Sequence, residues 1–509
     1  MSSRTPKRQR TGGLPSFGAP SDADAPSAQY NNPSSFASST RNLATSTTPT
    51  LATLCARVFA SEFIRLRADE EIWSRISAQL KILPDVLIPK IFAMLQTSCP
   101  TYLAHEVIVT HFLRGPSIIL HKDLPGVKQR TISDIARFNP GVRELQLINF
   151  DDIPDRIFAT LIRNLRNLRT LVLRGCAKVG AETMRAVAET SRDLVTLNLN
   201  YTSVTPASLA AVVRSCLNLE VLKLAGIQNW TDATISNFYT ALPEGFQLPA
   251  LHTLKLRQTA LSDAALSPVL HLCPSLRRLD LSFTLVRRPP QLLAESRIPP
   301  LEKLSLTSTV TSPADLVAVV NLLPELRTLA LGALGASRGS RASIANTSAM
   351  TINDDALHAL TMVLEQSVHI ENINLVGNAK LGSTSRADGA LSEFIAAVGR
   401  RCKKLNLAGI HSLRSSDLVG LVPTEASGVS PLETLILNNT GIDDEAGLYL
   451  AACPHLRTLA VAGTKMTSEG LFQVIDSCPK LENLDLTSCR GIRVVDRRRF
   501  FEVWEEARS

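Results

Sequence analysis

The sequence predicts an α/β solenoid, a stack of short parallel strands each followed by a helical segment, and three observations predict it. The first is a recurring phrase, Leu-x-x-Leu-x-Leu, at 168–173, 194–199, 219–224, 251–256, 276–281, 301–306, 326–331, 432–437 and 481–486. Weaker copies at 142–147, 370–375, 402–407 and 456–461 bring the count to thirteen. The second is the period. The fourth position of the phrase advances by 24 to 26 residues in most steps, and four longer steps mark insertions. A fixed period of that size is the signature of a leucine-rich repeat. The third is the pairing of each phrase with a polar turn and then a helical stretch, such as 181–190 or 206–215.

The phrase has a simple physical reading. Its leucines alternate, so a strand built from it buries one face and exposes the other. One unit cannot bury its own leucines and stacks on its neighbour. A buried Leu is worth about 1.5–3 kcal/mol over an exposed one, so the stack is stable only collectively. The strands should line a concave parallel sheet, with helices outside. This arrangement resembles the ribonuclease-inhibitor horseshoe.

The chain divides into four parts: residues 1–49 as a disordered basic, Ser-rich head, 50–120 as a helical module, 121–493 as the solenoid and 494–509 as a capping helix. The 509-residue chain carries a net charge of +8, which allows an acidic partner without identifying one. No run of eighteen apolar residues predicts a membrane span, and the N-terminus lacks the apolar core of a secretory signal. Nine cysteines without a Cys-x-x-Cys pair suggest reduced thiols, hence the nucleus or cytoplasm.

The head is rich in Ser, Thr, Pro, Ala and Asn and cannot offset the entropy of ordering. Within it, Pro6-Lys7-Arg8-Gln9-Arg10 reads either as a nuclear localisation signal or as a solvated charge run. The segment 12–18 (GGLPSFG) is a candidate docking element. From residue 50 the pattern changes: Leu51, Leu54, Cys55, Val58 and Phe59 fall at helical spacing and form one apolar stripe. Next, Leu83-Pro84 opens an amphipathic stretch through Leu87 to Leu95. A further helix is expected over 103–113, a leading strand at 118–120 and the first solenoid helix over 131–139.

Family resemblances enter here. Leu51-x-x-x-Cys55-x-x-x-Phe59 after Thr50 resembles the BC-box by which VHL-box and SOCS-box proteins bind elongin C, although an aliphatic residue is usual where Phe59 stands. That resemblance implies an adaptor contact through Leu51, Leu54, Cys55 and Phe59. The Leu83-Pro84 helix resembles a cullin box, implying a cullin contact through Leu83, Pro84 and Leu87. It also resembles the opening of an F-box, which would bring a Skp1-type adaptor instead. The order of parts is similar to that of the fungal leucine-rich-repeat ligase subunit of nucleotide-excision repair, without its Cys-rich segment. The implied function is substrate recognition for a cullin–RING ubiquitin ligase. A non-ligase scaffold and a damage-recognition subunit are the alternatives, and a simple cap on the solenoid end explains both helices equally.

Within the array, Cys216, Cys273, Cys402, Cys453 and Cys478 precede strands one repeat apart, a spacing for stacked small residues rather than metal ligands. Cys176, Cys489, Asn378 and Thr202, Thr284, Thr309, Thr440 and Thr464 occupy the turn after the strand. A side chain there is placed to bond the neighbouring turn's backbone. Outward strand positions hold Arg174, Lys223, Lys255, Arg257, Arg278 and Lys303 against Glu144, Asp280 and Asp485. They read as a groove for a protein substrate, or as ordinary solubilising charge. Aromatic residues interleaved for base stacking are missing from the strands, which disfavours direct nucleic-acid contact. Insertions 332–353 and 382–389 overhang one rim, and 243–249 and 423–431 the other. Residues 494–508 read as the closing helix, with Arg497-Arg498-Arg499 on its wet side.

The sequence contains no GxGxxG, GxxxxGK[ST], HExxH or GxSxG, and its nine histidines have no metal spacing. A binding protein without cofactor, metal or catalytic residues is therefore expected.

Overall fold

Each copy of the repeated phrase folds into a strand whose fourth-position residue, leucine everywhere but at Ile373, points inward. The computed structural model describes residues 38–40, 50–296, 299–334, 351–383, 389–424, 428–493 and 496. The basic cluster at 6–10, the segment 12–18, most of the 332–353 insertion and nearly all of the predicted closing helix lie outside the described residues, as does Arg497-Arg498-Arg499.

Among the described residues one sheet holds fifteen strands. They are β1 (Ser38–Thr40), β2 (Ser117–His121), β3 (Glu144–Ile148), β4 (Thr170–Val172), β5 (Thr196–Asn198), β6 (Val221–Lys223), β7 (Thr253–Lys255), β8 (Arg278–Asp280), β9 (Lys303–Ser305), β10 (Thr328–Ala330), β11 (Asn372–Asn374), β12 (Lys404–Asn406), β13 (Thr434–Ile436), β14 (Thr458–Ala460) and β15 (Asn483–Asp485). From β2 to β15 each pairs in parallel with the next in the chain. The central residues form one file: Leu145 opposes Leu171, Leu254 opposes Leu279, Leu459 opposes Leu484. A slip of one residue would turn every leucine outward, so burial fixes the register. The sheet begins at Ser117, inside the stretch assigned to the helical module.

β1 departs from the pattern. This short piece of the head pairs antiparallel with β15, Ser38 opposite Asp485 and Thr40 opposite Asn483.

Helices such as Ala181–Thr190 and Pro206–Ser215 cover the convex side. Successive repeats are tied by carboxylates at helix starts. Asp155 accepts from the Gly180 N–H and the Glu182 N–H, each at 2.9 Å, in the following repeat. Asp263 accepts from Arg287 and Arg288, at 2.8 and 3.0 Å. Asp444 accepts from Thr467 and Gly470. Each bond satisfies amides that a helix start leaves without partners.

The cysteines before strands are buried and free. Cys216 donates to the Ser191 carbonyl at 3.2 Å and Cys478 to the Cys453 carbonyl at 3.3 Å, both in the previous repeat, whereas Cys273 and Cys402 donate four residues back to Val269 and Val398. Burial pushes the Cys216, Cys273, Cys402 and Cys478 thiols up to about 12. The turn residues divide. Cys176 and Asn378 reach the preceding repeat, at Leu147 and Leu331. The threonines instead donate to the carbonyl three residues back, Thr202 to Leu199 and Thr284 to Leu281. For them the expected bond to a neighbouring turn is corrected to a local one.

The N-terminal module comprises α1 (Leu51–Ala68), α2 (Glu70–Ile82) and α3 (Ile88–Ser98). Thr50 and Asp69 cap the first two, accepting from the Thr53 and Ile72 N–H groups. The single helix expected over 103–113 is broken into a 3₁₀ turn at Pro100–Tyr102, a turn at His105–Val107 and a π turn at Ile108–Phe112. The π turn buries His111 against Trp73, with ring centroids 5.9 Å apart. Gln96 of α3 donates to the Ile119 carbonyl at 2.9 Å, which places α3 over the outer edge of β2.

Candidate functional site

Two surfaces present the residues singled out from the sequence. The first is α1. Its inner face buries Ala56, Ala60 and Phe63. Its outer face leaves Leu51 76% and Val58 64% exposed, with Leu54 and Cys55 also exposed. A helix turns about 100° per residue, so Val58 lies roughly 20° from Leu51 around the axis and Phe59 roughly 80°. The structure follows that geometry. Phe59 packs partly buried against the module core, 5.7 Å from the Phe63 ring at 74°. The adaptor-facing assignment of Phe59 is therefore corrected: the stripe is Leu51, Leu54, Cys55 and Val58, all aliphatic apart from the thiol.

The Leu83-Pro84 turn lies between α2 and α3. Leu83 and Leu87 are partly buried against the core, whereas Pro84 is exposed between Ile82 and Val86, both strongly exposed. Of the three residues expected to face a cullin, only Pro84 is fully presented, and Ile82 and Val86 are the apolar neighbours that pattern reading missed. Arg114 fixes this turn. Its guanidinium donates to the Leu83 carbonyl at 3.0 Å, to Asp85 Oδ1 at 2.9 Å and to the Leu80 carbonyl. Next to it, Gly115 has φ of +94° and lies so close to the turn that a Cβ would sit 2.6 Å from the Asp85 carbonyl oxygen.

The second surface is the concave wall. Arg174 and Arg278 are exposed there, Lys223, Lys303 and Asp280 half-buried, and Lys255 is only 8% exposed. The register brings them together: Lys223 is opposite Lys255, Lys255 opposite Asp280, and Arg278 opposite Lys303. Arg257 follows β7, its guanidinium 5.0 Å from the Phe283 ring centroid and its Nε buried without a hydrogen-bond partner.

Aromatic residues on this side occupy turns, not strands, where strand periodicity does not reveal them. Among the described residues, twelve repeats place a left-handed residue four positions after the central one. Gly175, Gly226, Gly377, Gly409 and Gly463 are the glycines of this column, and Asn149, Tyr201, Gln258, Phe283, Ser308, Asn439 and Ser488 take the same conformation. Tyr201 crosses Gly226 and donates to Gln258 Oε1 at 3.0 Å. One step before the strands, a different set of charges forms a ladder. Arg277 pairs with Glu302 at 3.2 Å, Arg327 and Lys403 with Glu371 at 3.5 and 3.1 Å, and Arg457 with Glu482 at 2.7 Å. These exposed pairs are worth little each.

The insertion at 243–249 borders an apolar cleft of about 590 Å³, lined by Tyr239, Phe246, Pro268 and His271.

A leucine-rich-repeat family model matches residues 452–472. Two Arabidopsis thaliana proteins are similar over part of the chain. Putative F-box/LRR-repeat protein 23 is 37% identical over 76 residues, covering 14% of this chain and 17% of that protein. Putative F-box/LRR-repeat protein 21 is 28% identical over 117 residues, covering 22% and 36%. The matches thus span about a third or less of those relatives. Among solved structures, a chain of the yeast Rad7 and Elc1 complex aligns at 16% identity with a TM-score of 0.47, over 83% of this chain and 96% of that one. An internalin (inlF) from Listeria monocytogenes aligns at 17% identity and a TM-score of 0.36, over 71% and 90%.

Proposed function

We propose that this chain is the target-binding subunit of a cullin–RING ubiquitin ligase: the helical module engages an adaptor and the concave wall holds the target protein. It is not itself an enzyme, and ubiquitin transfer belongs to other subunits. The observation that carries the reading is the outer face of α1, an apolar stripe of Leu51, Leu54, Cys55 and Val58 exposed on a helix whose opposite face is buried. Similarity to proteins named F-box/LRR-repeat supports the general ligase reading. Burying three aliphatic side chains yields roughly 4–9 kcal/mol at about 1.5–3 each, which only matches the cost of association. A stable complex therefore needs a second contact, and Ile82, Pro84 and Val86 offer one to the cullin.

Elongin C fits the α1 stripe. A Skp1-type adaptor is the second reading, favoured by the exposed Pro84 at the start of an F-box-like helix. Residence in the nucleus, the cytoplasm or both is part of the proposal; a damage-recognition role in DNA repair is an alternative to it. The test is co-purification of the full chain with elongin C and, separately, with a Skp1-type adaptor. Elongin C capture that disappears in Leu51→Asp/Val58→Asp supports the first reading. Capture of the Skp1-type adaptor, lost in Pro84→Asp, favours the second. Capture of neither leaves a plain repeat scaffold.

A further inference from the structure

We propose that the concave wall from β4 to β9 is a docking site for an acidic, extended protein segment, with Arg257 as its anchor. The inference deepens the receptor reading and rests on it for the occupant being a ligase target. The wall is electrically lopsided. Inner positions from β3 to β9 and the residues just after them hold Arg174, Lys223, Lys255, Arg257, Arg278 and Lys303, opposed by Glu144 and Asp280. The strand positions of β10 to β15 carry one cation, Lys404, and one anion, Asp485. Arg174 and Arg278 are exposed and have no ion-pair partner among the described residues.

Arg257 supplies an independent observation. Its guanidinium is held over Phe283, and its buried Nε donor has no acceptor among the described residues. Buried donors are nearly always satisfied, so this orphan marks a guanidinium whose hydrogen-bonding capacity the wall itself leaves unused. A carboxylate suits a guanidinium best, since it accepts two parallel N–H bonds. Strands lie about 4.8 Å apart, so β4 to β9 spans roughly 24 Å, the length of about seven extended residues. The two rings that could stack on bases are already engaged, Tyr201 with Gln258 and Phe283 with Arg257. That favours an acidic polypeptide over a nucleic acid.

The test uses the full chain and a fluorescein-labelled peptide of about eight residues rich in Asp and Glu. Anisotropy is read near physiological ionic strength, where diffuse attraction is screened beyond about 8 Å. Saturable binding is expected, weakened about tenfold or more in Arg257→Gln, the loss of one charge-assisted contact. Arg174→Glu/Arg278→Glu, both on exposed side chains, should weaken it similarly with unchanged circular dichroism. Asp280→Asn should tighten it, and Lys404→Glu, outside the patch, should leave it alone. The proposal is overturned by an absence of saturable binding, by equal losses in Lys404→Glu, by indifference to Arg174→Glu/Arg278→Glu, or by a single-stranded DNA oligonucleotide that outcompetes the peptide. Adaptor capture is measured on the same samples. Retained peptide binding without capture sinks the ligase reading alone; retained capture without peptide binding sinks the acidic site alone.

Discussion

The left-handed turn column shows how single residues hold this molecule. Seven of its members are not glycine, and an L residue pays roughly 1–2 kcal/mol for that conformation. Glycine avoids this but loses about 0.5–1 kcal/mol through the freedom of the unfolded chain. The two nearly cancel, which explains why the column tolerates Asn, Ser, Gln and aromatics. Ser488→Gly should therefore change stability by less than about 1 kcal/mol, toward stabilisation, in urea unfolding. Gly226→Ala should behave differently. It adds strain at φ of +70° and drives a methyl into the Tyr201 ring, displacing its bond to Gln258. A loss of about 2 kcal/mol is expected, and an unchanged midpoint would show that the Tyr201 side chain moves aside freely. The sequence does not announce this column, because positive φ is a backbone property that only Gly and Asn advertise.

At the scale of elements, α1 separates folding from binding along its own circumference. Leu51→Asp/Val58→Asp changes exposed positions and should leave the melting temperature within a few degrees. Phe59→Asp buries a charge beside Phe63 and should cost about 3 kcal/mol or more, seen as a collapse of the thermal midpoint. The stripe is legible in the sequence as helical spacing. Phe59 is misplaced when the motif is matched position by position instead of by angle around the helix. The carboxylate links between repeats give another prediction. Asp155→Ala removes the acceptor for Gly180 and Glu182 and should cost about 1–2 kcal/mol. Asn should recover part of that loss, since its oxygen still accepts. These links are not visible in the sequence, because each spans a full repeat and an Asp at a helix start also suits a purely local cap.

For the whole molecule, the thirteen phrases are enough to place every strand from β3 to β15, since one leucine file sets the register throughout. The N-terminal module is less legible: its π turn depends on the packing of His111 against Trp73 and Phe112, residues far apart or out of period. Burial, helped by Lys81 and Arg114, lowers the His111 pKa to about 4. The unfolded chain takes up a proton near pH 6.5 that the folded chain refuses until about pH 4, so stability is full above 6.5 and falls as the pH drops toward 4. His111→Gln should flatten that slope in denaturation curves between those limits, and an unaltered slope would assign it to other groups. The sheet's two ends are finished differently: α3 lies over β2, while β15 is met by Ser38–Thr40 from the chain's own head. Three residues of pairing are easily stripped away, and a bare row of amides and carbonyls invites a twin. A protein trimmed of residues 1–49 should consequently associate in pairs, β15 against β15 about a twofold axis, and sedimentation should show growth halting at two because α3 lies over the outer edge of β2 at the opposite end.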